Sequence, residues 1–392
     1  MKKRIISLLM CGVLTVATLV SGEVGMLLVS AVETSDTGAT LAPLTETKSA
    51  KAASDVVINA TNFPDKVFRA YVKKSFDKNK DGKLSKAEQN KVVNIGFDAG
   101  QTKKKLANLK GIEYFVNLES LEVDNAQLTQ MDLSKNMKLK YLYASQNKLT
   151  TVDLSKNKDL KEVSFWENKL TDIDISKNTK LRGLDCGENE LTQIDVRKNP
   201  KLRELHCQSN KITSVNGLEK CKEVRILSLY DNKMMTLPNL KNLKKLGTEN
   251  PDAPEIAVVN WLSFGGNYFT VKELKRKLPK HSLKDKEWLQ AQIESQKVRK
   301  TGGLKVANSG NRALKLTWKR TPDVLAYRIY RSTSKDGKYK LIKTVKAKDN
   351  RSFVDTKLKL DKTYYYKIRA YKNAYGEKVY GAYSEIRSKK VK

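Results

Sequence analysis

From Leu118 to Leu202 a leucine returns every 21 residues, at Leu118, Leu139, Leu160, Leu181 and Leu202. Behind each one, apolar residues stand at the fourth and sixth positions: Leu121/Val123, Leu142/Ala144, Val163/Phe165, Leu184/Cys186 and Leu205/Cys207. The ninth position is Asn147, Asn168, Asn189 and Asn210, with Ala126 in the first unit. Leu or Ile follows at the eleventh and Thr at the twelfth, and four units then read apolar-Asp-apolar-(Ser/Arg)-Lys-Asn. A sixth unit opens at Val224 (Leu227, Leu229, Asn232, Met234), and a seventh near Val259 (Leu262, Phe264, Asn267, Phe269) after an insertion holding Pro251 and Pro254. Leu106, Leu109 and Ile112 mark a degenerate leading unit. An apolar pair two residues apart predicts a short strand with one buried face. One unit cannot bury its own leucines, so the units must stack into a solenoid, one strand each, forming a parallel sheet along one side. The ninth-position Asn is placed to bond backbone groups where the chain leaves the strand.

The flanks follow other rules. Residues 271–301 carry a helical pattern on either side of Pro279 and read as a cap and linker closing the open end of the solenoid. From 302 to 392 the period falls to two, as in Leu314/Leu316/Trp318, Tyr327/Ile329/Tyr330 and Tyr364/Tyr366/Ile368/Ala370, with turn signals such as Lys335-Asp336-Gly337 between. That predicts a small all-β sandwich. Residues 77–88 read DKNKDGKLSKAE, between an apolar stripe (Val67, Phe68, Tyr71, Val72) and a second helical stretch from Ser85 to Val93.

Three resemblances fit these segments. The repeats, over about residues 95–275, resemble the leucine-rich repeat solenoid of secreted, internalin-like bacterial proteins. The loop is similar to an EF-hand. Asp77, Asn79 and Asp81 fill positions one, three and five, and Gly82 the tight turn. Lys83 offers a carbonyl, Ser85 stands at nine and Glu88 at twelve. The resemblance implies one Ca²⁺ site of structural kind, weakened by Lys78, Lys80, Lys83 and Lys86; the alternative is a loop that keeps the shape without metal. Residues 302–392 resemble a fibronectin type III module, with Trp318 on an early core strand and Tyr364 or Tyr366 as a tyrosine corner.

The expected fold is therefore multidomain: leader 1–31, flexible linker 32–55, EF-hand-like helical cap 56–95, leucine-rich repeats 96–270, helical cap and linker 271–301, and fibronectin-like sandwich 302–392. Lys2, Lys3 and Arg4 before an apolar run, with small residues at Val29-Ser30-Ala31, read as an export signal cut after Ala31, with an uncleaved anchor as the alternative. Without the leader the chain holds no apolar stretch long enough to span a bilayer. Cys186, Cys207 and Cys221 remain, an odd set that argues against a disulfide scaffold.

In such repeats the third, fifth, seventh and eighth residues face outward from the concave sheet. Tyr141, Tyr143, Trp166, His206, Tyr230 and Trp261 fall on that surface, among Glu122, Asp124, Glu162, Glu167, Asp185, Glu188 and Glu204. Aromatics flanked by polar groups suit a protein or glycan partner. The alternative is scattered surface aromatics, with Trp261 packed under the cap. The aligned Asp132, Asp153, Asp174 and Asp195, with Lys135, Lys156, Lys177 and Lys198, read as a solvated back face, or less favourably as an anion-binding stripe. His206 beside Cys207 is set aside as a metal pair, because neighbours on a strand face opposite ways.

Charge changes the picture last. Lys plus Arg number 76 against 43 acidic residues, a net charge of +33. Residues 302–392 hold 18 Lys and 7 Arg against 7 acids. This predicts that the C-terminal module meets an anionic wall polymer or acidic glycan; nucleic acid is the weaker candidate for an exported chain. The motifs assemble no nucleophile–base set, and the expectation is a binding protein, not an enzyme. It is expected to be secreted, monomeric and non-covalently held at the cell surface, an adhesin or host-interaction protein. The alternative is an accessory protein of the bacterium's own wall.

Overall fold

A three-residue strand closes each repeat on one side: Ser120–Glu122, Tyr141–Tyr143, Glu162–Ser164, Gly183–Asp185, Glu204–His206 and Ile226–Ser228, with Leu262–Ser263 last. The coordinates are a computed structural model describing residues 55–97, 106–248, 262–349 and 351–392. The leader, nearly all of the linker and Trp261 fall outside the described residues. The strands pair in parallel and in register, so that Leu121, Leu142, Val163, Leu184, Leu205, Leu227 and Leu262 form one row. An eighth strand, Asn94–Gly96, pairs ahead of them, so the sheet begins before the leading unit marked by Leu106.

The repeat spacing becomes geometry through two rows of buried asparagines. After each strand, the eighth residue takes a left-handed conformation: Asn125, Gln146, Glu167, Glu188, Ser209 and Asp231 have φ between 49° and 55°, and Gly266 takes 69°. The ninth-position Asn then turns inward. Asn168 Nδ2 donates to the carbonyls of Ala144 and Phe165 at 2.9 and 3.1 Å, and its Oδ1 accepts from Leu149 N at 3.0 Å. Asn147, Asn189, Asn210, Asn232 and Asn267 repeat the arrangement.

A second row lies on the return arm. Asn136, Asn157, Asn178 and Asn199 are fully buried, and each donates to carbonyls of the preceding turn. Their Oδ1 atoms find no partner. In the next turn Cys221 takes this place, its thiol 3.4 Å from Asn199 O. Asp132, Asp153, Asp174 and Asp195 are more than solvated charges. Each accepts the amide two residues on, fixing the turn before the buried Asn. These amide bonds come first among the causes that hold Asp132, Asp153 and Asp174 below the usual carboxylate range.

Both ends of the sheet are covered. At the front, helix Lys66–Ser75 is N-capped by Asp65, whose other oxygen accepts from Ala107 N and ties the cap to the solenoid. Phe63, Phe68, Val72 and Leu84 share one core with the repeat leucines. Gly111, at φ 105°, lies under Phe63 where a Cβ would come within 2.2 Å of the ring. At the far end, helices Val271–Lys277 and Lys286–Glu294 close the core with Leu274 and Leu289. Two buried glutamines satisfy the last turn: Gln292 Oε1 accepts from Phe264 N, and Gln296 bonds both Phe264 O and Phe269 N.

The C-terminal domain is a sandwich. Strands Lys305–Asn308, Leu314–Thr317 and Ser352–Asp355 form one antiparallel sheet. Lys340–Lys346, Ala326–Ser332, Thr363–Ala374 and Glu377–Tyr380 form the other, with Arg387–Lys390 also paired to Thr363–Ala374. Trp318 packs edge-on to Tyr327 at 5.4 Å in its core. The corner position belongs to Tyr364, whose hydroxyl accepts from Lys359 N, whereas Tyr366 donates to the buried Asp355. The sandwich docks on the second capping helix through Lys372, which donates to Ile293 O, and on the linker after it through the Lys300–Glu385 ion pair.

The two asparagine rows differ in what they satisfy, and this is testable. Asn168→Ala strands a buried amide and two carbonyls and should cost about 2–4 kcal/mol of unfolding free energy. Asn178→Cys copies what the chain does at Cys221 and should cost under about 1 kcal/mol. Denaturant unfolding measures both, and equal losses would refute the distinction.

Candidate functional site

Side chains alternate along each strand, so the third and fifth residues leave the core together. The parallel register makes rows of them: Glu122, Tyr143, Ser164, Asp185 and His206 in one, Tyr141, Glu162, Gly183 and Glu204 in the other. Across these turns the concave face sinks into a hollow of ≈ 480 Å³ lined by Tyr143, Glu162, Asp185, Glu204 and His206, with Arg182 and Arg203 on its border. Gly183 keeps the floor open between Glu162 and Glu204.

The polar groups in the hollow are coupled. Tyr143 donates its hydroxyl to Glu162 at 2.8 Å; burial first, and this carboxylate second, push the phenol well above its ordinary pKa. Burial also raises Asp185, against the pull of His206 and the Gly187 amide. His206 Nε2 lies 3.9 Å from Glu204. A carboxylate-rich floor between two guanidiniums can accept basic and hydroxyl groups and orient an acidic one at its edge.

Trp166 stands beside this hollow, on the seventh position of its turn. It is half-buried because Gly187, the seventh residue of the next turn, leaves room for it: a Cβ on Gly187 would come within 3.1 Å of the indole and 2.4 Å of Gln208 Nε2. The indole N–H and Gln208 Oε1 are both enclosed without partners. The largest described side chain on the face therefore packs beside a glycine instead of standing in water. Tyr143 and His206 meet in the hollow, and Tyr141 joins the Glu162 row beside it. Tyr230 lies further along, against Gly265 by the C-terminal cap. Trp261 is outside the described residues. Arg182 and Arg203 occupy the second position, outside the third, fifth, seventh and eighth that the repeat pattern marks as outward. The second position is basic in five successive turns (Lys140, Lys161, Arg182, Arg203, Arg225), a regularity that points to them.

The acidic loop at the front cap is a second candidate. Gly82 takes φ 80° at its turn, and Asp77 Oδ2 accepts from Gly82 N at 3.1 Å. Asp77 Oδ1 is buried with no partner, which suits a cation in the loop. Asn79 and Asp81 brace each other. Glu88 accepts from Lys78 N, Ser85 N and the Ser85 hydroxyl; burial opposes its ionisation, but these bonds outweigh it and hold the carboxyl low. Among the described residues no three His, Cys, Asp or Glu side chains converge as a ready metal cluster. Strand Lys83–Leu84 pairs antiparallel with Val56–Val57.

Comparison with known proteins bears on the repeats. Residues 179–220 and 200–242 each match the model described as leucine-rich repeats. These central turns are leucine-rich repeats. No curated protein matches the chain. Among solved structures, it is similar to the functional domain of InlJ from Listeria monocytogenes, at 17% identity and TM-score 0.39, covering 85% of this chain and 98% of that one. It is also similar to the internalin InlF from Listeria monocytogenes, at 19% identity and TM-score 0.25, over 58% of this chain and 89% of that one. A fibronectin type III-like protein from Clostridium thermocellum matches 22% of this chain and 86% of its own, at 27% identity and TM-score 0.19. Among the described residues no helix is long and apolar enough to cross a membrane.

The link between Asp185 and His206 predicts a titration. Because the imidazolium lowers the Asp185 pKa, His206→Asn should raise it further, so that the carboxylate picks up its proton at higher pH than in the parent. Carbon-detected NMR of the Asp185 carboxyl reads this directly; an unchanged midpoint would show that the two groups do not interact.

Proposed function

We propose that this protein is a secreted, surface-associated adhesin of the internalin-like kind, binding a protein or glycan partner on the concave face of its repeats. The observation that carries this reading is the hollow of Tyr143, Glu162, Asp185, Glu204 and His206 on a frame pinned by buried asparagines. Such a face meets a partner without first paying to order itself. Trp166 and Tyr141 add contact area at its border. Its role is recognition, not catalysis.

The basic sandwich, fibronectin-like in its strand order and its Tyr364 corner, holds the protein on an anionic layer. Its surplus of lysine and arginine supports that reading and favours the bacterium's own wall as the place of residence. An accessory wall protein is the second reading for this reason.

To test the first, the purified chain is presented to epithelial cells and matrix proteins beside Tyr143→Ala/Glu162→Gln. The parent should bind, and the variant should lose roughly tenfold or more in affinity, the loss expected at the centre of an interface. Undiminished binding by a folded variant would remove the concave face from the mechanism. Binding to isolated cell walls but not to host components would favour the second reading.

The 77–88 loop is proposed to hold Ca²⁺ through Asp77, Asn79, Asp81, Ser85 and Glu88 side chains and the Lys83 carbonyl. A bound cation would supply positive charge to carboxylates that now lean on backbone amides, and so stiffen the cap. With a Kd near ~10⁻⁴ M, millimolar Ca²⁺ should stabilise the chain by about 1–1.5 kcal/mol. The melting temperature should therefore rise by a few degrees in the parent and stay fixed in Asp77→Asn. Equal behaviour of the two proteins would leave the loop as a metal-free cap.

A further inference from the structure

The outer side of the five-stranded C-terminal sheet carries a cluster that the concave face does not explain. Arg328, on strand Ala326–Ser332, stands directly opposite Arg369, on strand Thr363–Ala374. Like charges in that relation repel. Neither guanidinium, nor Lys367, nor Lys378 has a carboxylate partner among the described residues. Glu377 shares a rung with buried Ala374, on the other side of the pleat. Asp336 reaches only the margin, at Tyr339.

Aromatic rings hold these cations in place of acids. Arg369 Cζ lies 4.1, 4.7 and 5.5 Å from the ring centres of Tyr380, Tyr383 and Tyr330. Arg328 Cζ lies 5.1 Å from Tyr380 and 5.6 Å from Tyr371. Lys367 Nζ sits 4.3 and 4.4 Å from Tyr383 and Tyr339. The rings pack on one another, Tyr330 against Tyr383 at 5.3 Å and Tyr371 against Tyr380 at 5.4 Å. Arg369 also donates through Nε and Nη2 to the Tyr330 hydroxyl at 3.3 and 3.2 Å. Arg328 Nε is enclosed and has no partner. Burial would raise the pKa of Tyr330, yet hydrogen bonds from Arg369 and Arg328 and the charge of Arg369 pull it below its ordinary value.

Two opposed arginines with no acid between them are held ready for an anion. Lys367 lies two residues from Arg369, about 7 Å along the strand, so the cations form a line and not a point. We propose that this face binds a linear phosphodiester polymer of the polyol-phosphate type, one phosphate seated between Arg328 and Arg369 and the next against Lys367. The proposal rests on the reading that the C-terminal domain holds the protein on an anionic layer, and names the surface and the chemistry. A guanidinium fork suits phosphate oxygens. The rings around Arg328 and Arg369 already carry cations, which disfavours stacking of nucleobases or sugar rings on them. A charged chain without rings fits best.

The test measures binding of the full chain to purified poly(glycerol phosphate), with heparin and oligo(dT) as separate arms. Arg328→Gln/Arg369→Gln should lose roughly tenfold or more in affinity and flatten the log-affinity against log-salt slope by roughly 0.7 per arginine. Lys305→Gln/Lys315→Gln removes the same charge from the opposite sheet and should lose no more than about threefold. Arg328→Lys/Arg369→Lys should fall between, since charge is kept and the fork is lost; thermal melts establish that all variants fold. Equal losses in the two Gln variants would overturn the face and leave anchoring by diffuse charge. Failure of the parent to bind the polymer would overturn both. Tighter binding of heparin or oligo(dT) would overturn the choice of polymer.

Discussion

The structure depends on a side-chain amide standing in for a full second sheet. The return arms pair as strands only at Gln193–Asp195 with Ser214–Asn216 among the described residues, and a short 3-10 turn at Leu218–Lys220 follows, so many backbone groups inside the turns would otherwise be buried without partners. Each such group costs about 1–3 kcal/mol if left unpaired. Asn168 and its equivalents remove that cost by donating to carbonyls of their own and the preceding turn and accepting from an amide of the preceding turn. Because two of these bonds cross to the neighbouring turn, the row that satisfies the backbone also fixes the rise between turns. The side chains on the concave strands inherit that spacing, which is why Glu162, Gly183 and Glu204 fall in one line.

A stacked array has two open ends, each exposing leucines and unpaired strand edges. The chain solves the two differently. At the front, helix Lys66–Ser75 brings aromatics over the first turn, and Val56–Val57 pairs with the loop strand Lys83–Leu84. Phe76 meets Phe115 at 5.2 Å, so the acidic loop is built into the same core as the repeats. At the back, Gln292 and Gln296 imitate one more turn by offering amides where the next asparagine would have stood. The capping helix bearing Gln292 and leading to Gln296 also receives the sandwich through Lys372 and Tyr375. Burial lowers the Lys372 pKa to about 8, so seating an ammonium there opposes docking near neutral pH, against the attraction of Asp323 and Glu294.

What could be read in the sequence was whatever repeats. Leu at the first position, the fourth and sixth apolar pair and the ninth Asn gave the solenoid and the direction of its strands, because a periodic burden of apolar groups has one economical packing. The last Asn of each unit was legible as a pattern and not as a buried group, since asparagine is usually solvated and only Cys221 in its place hints at burial. Single events were harder. That Trp166 is half-buried depends on Gly187 one turn away and on Gln208 beyond it, and no local window contains all three. The hollow needed Arg182 and Arg203, which sit just off the strand rows that alternation identifies. The opposed Arg328 and Arg369 required knowing which rung of one strand meets which rung of another, and that follows from the sandwich register alone.

The chain keeps two kinds of electrostatics apart. On the repeats, Glu162, Asp185 and Glu204 share one floor with His206, beside two arginines, so the local field there is set by the order of charges rather than by their sum. On the sandwich the sum dominates: Arg328, Lys367 and Arg369 repeat one sign, and rings replace counter-ions. At physiological salt a charge is screened beyond about 8 Å, far less than the span of the repeats. The positive sheet therefore does not neutralise the carboxylates of the hollow, nor do they weaken it. A net charge of +33 is thus no property of the concave face. It can rise or fall on the sandwich without changing the order of charges along the concave row, so the two roles proposed above would be free to be tuned separately.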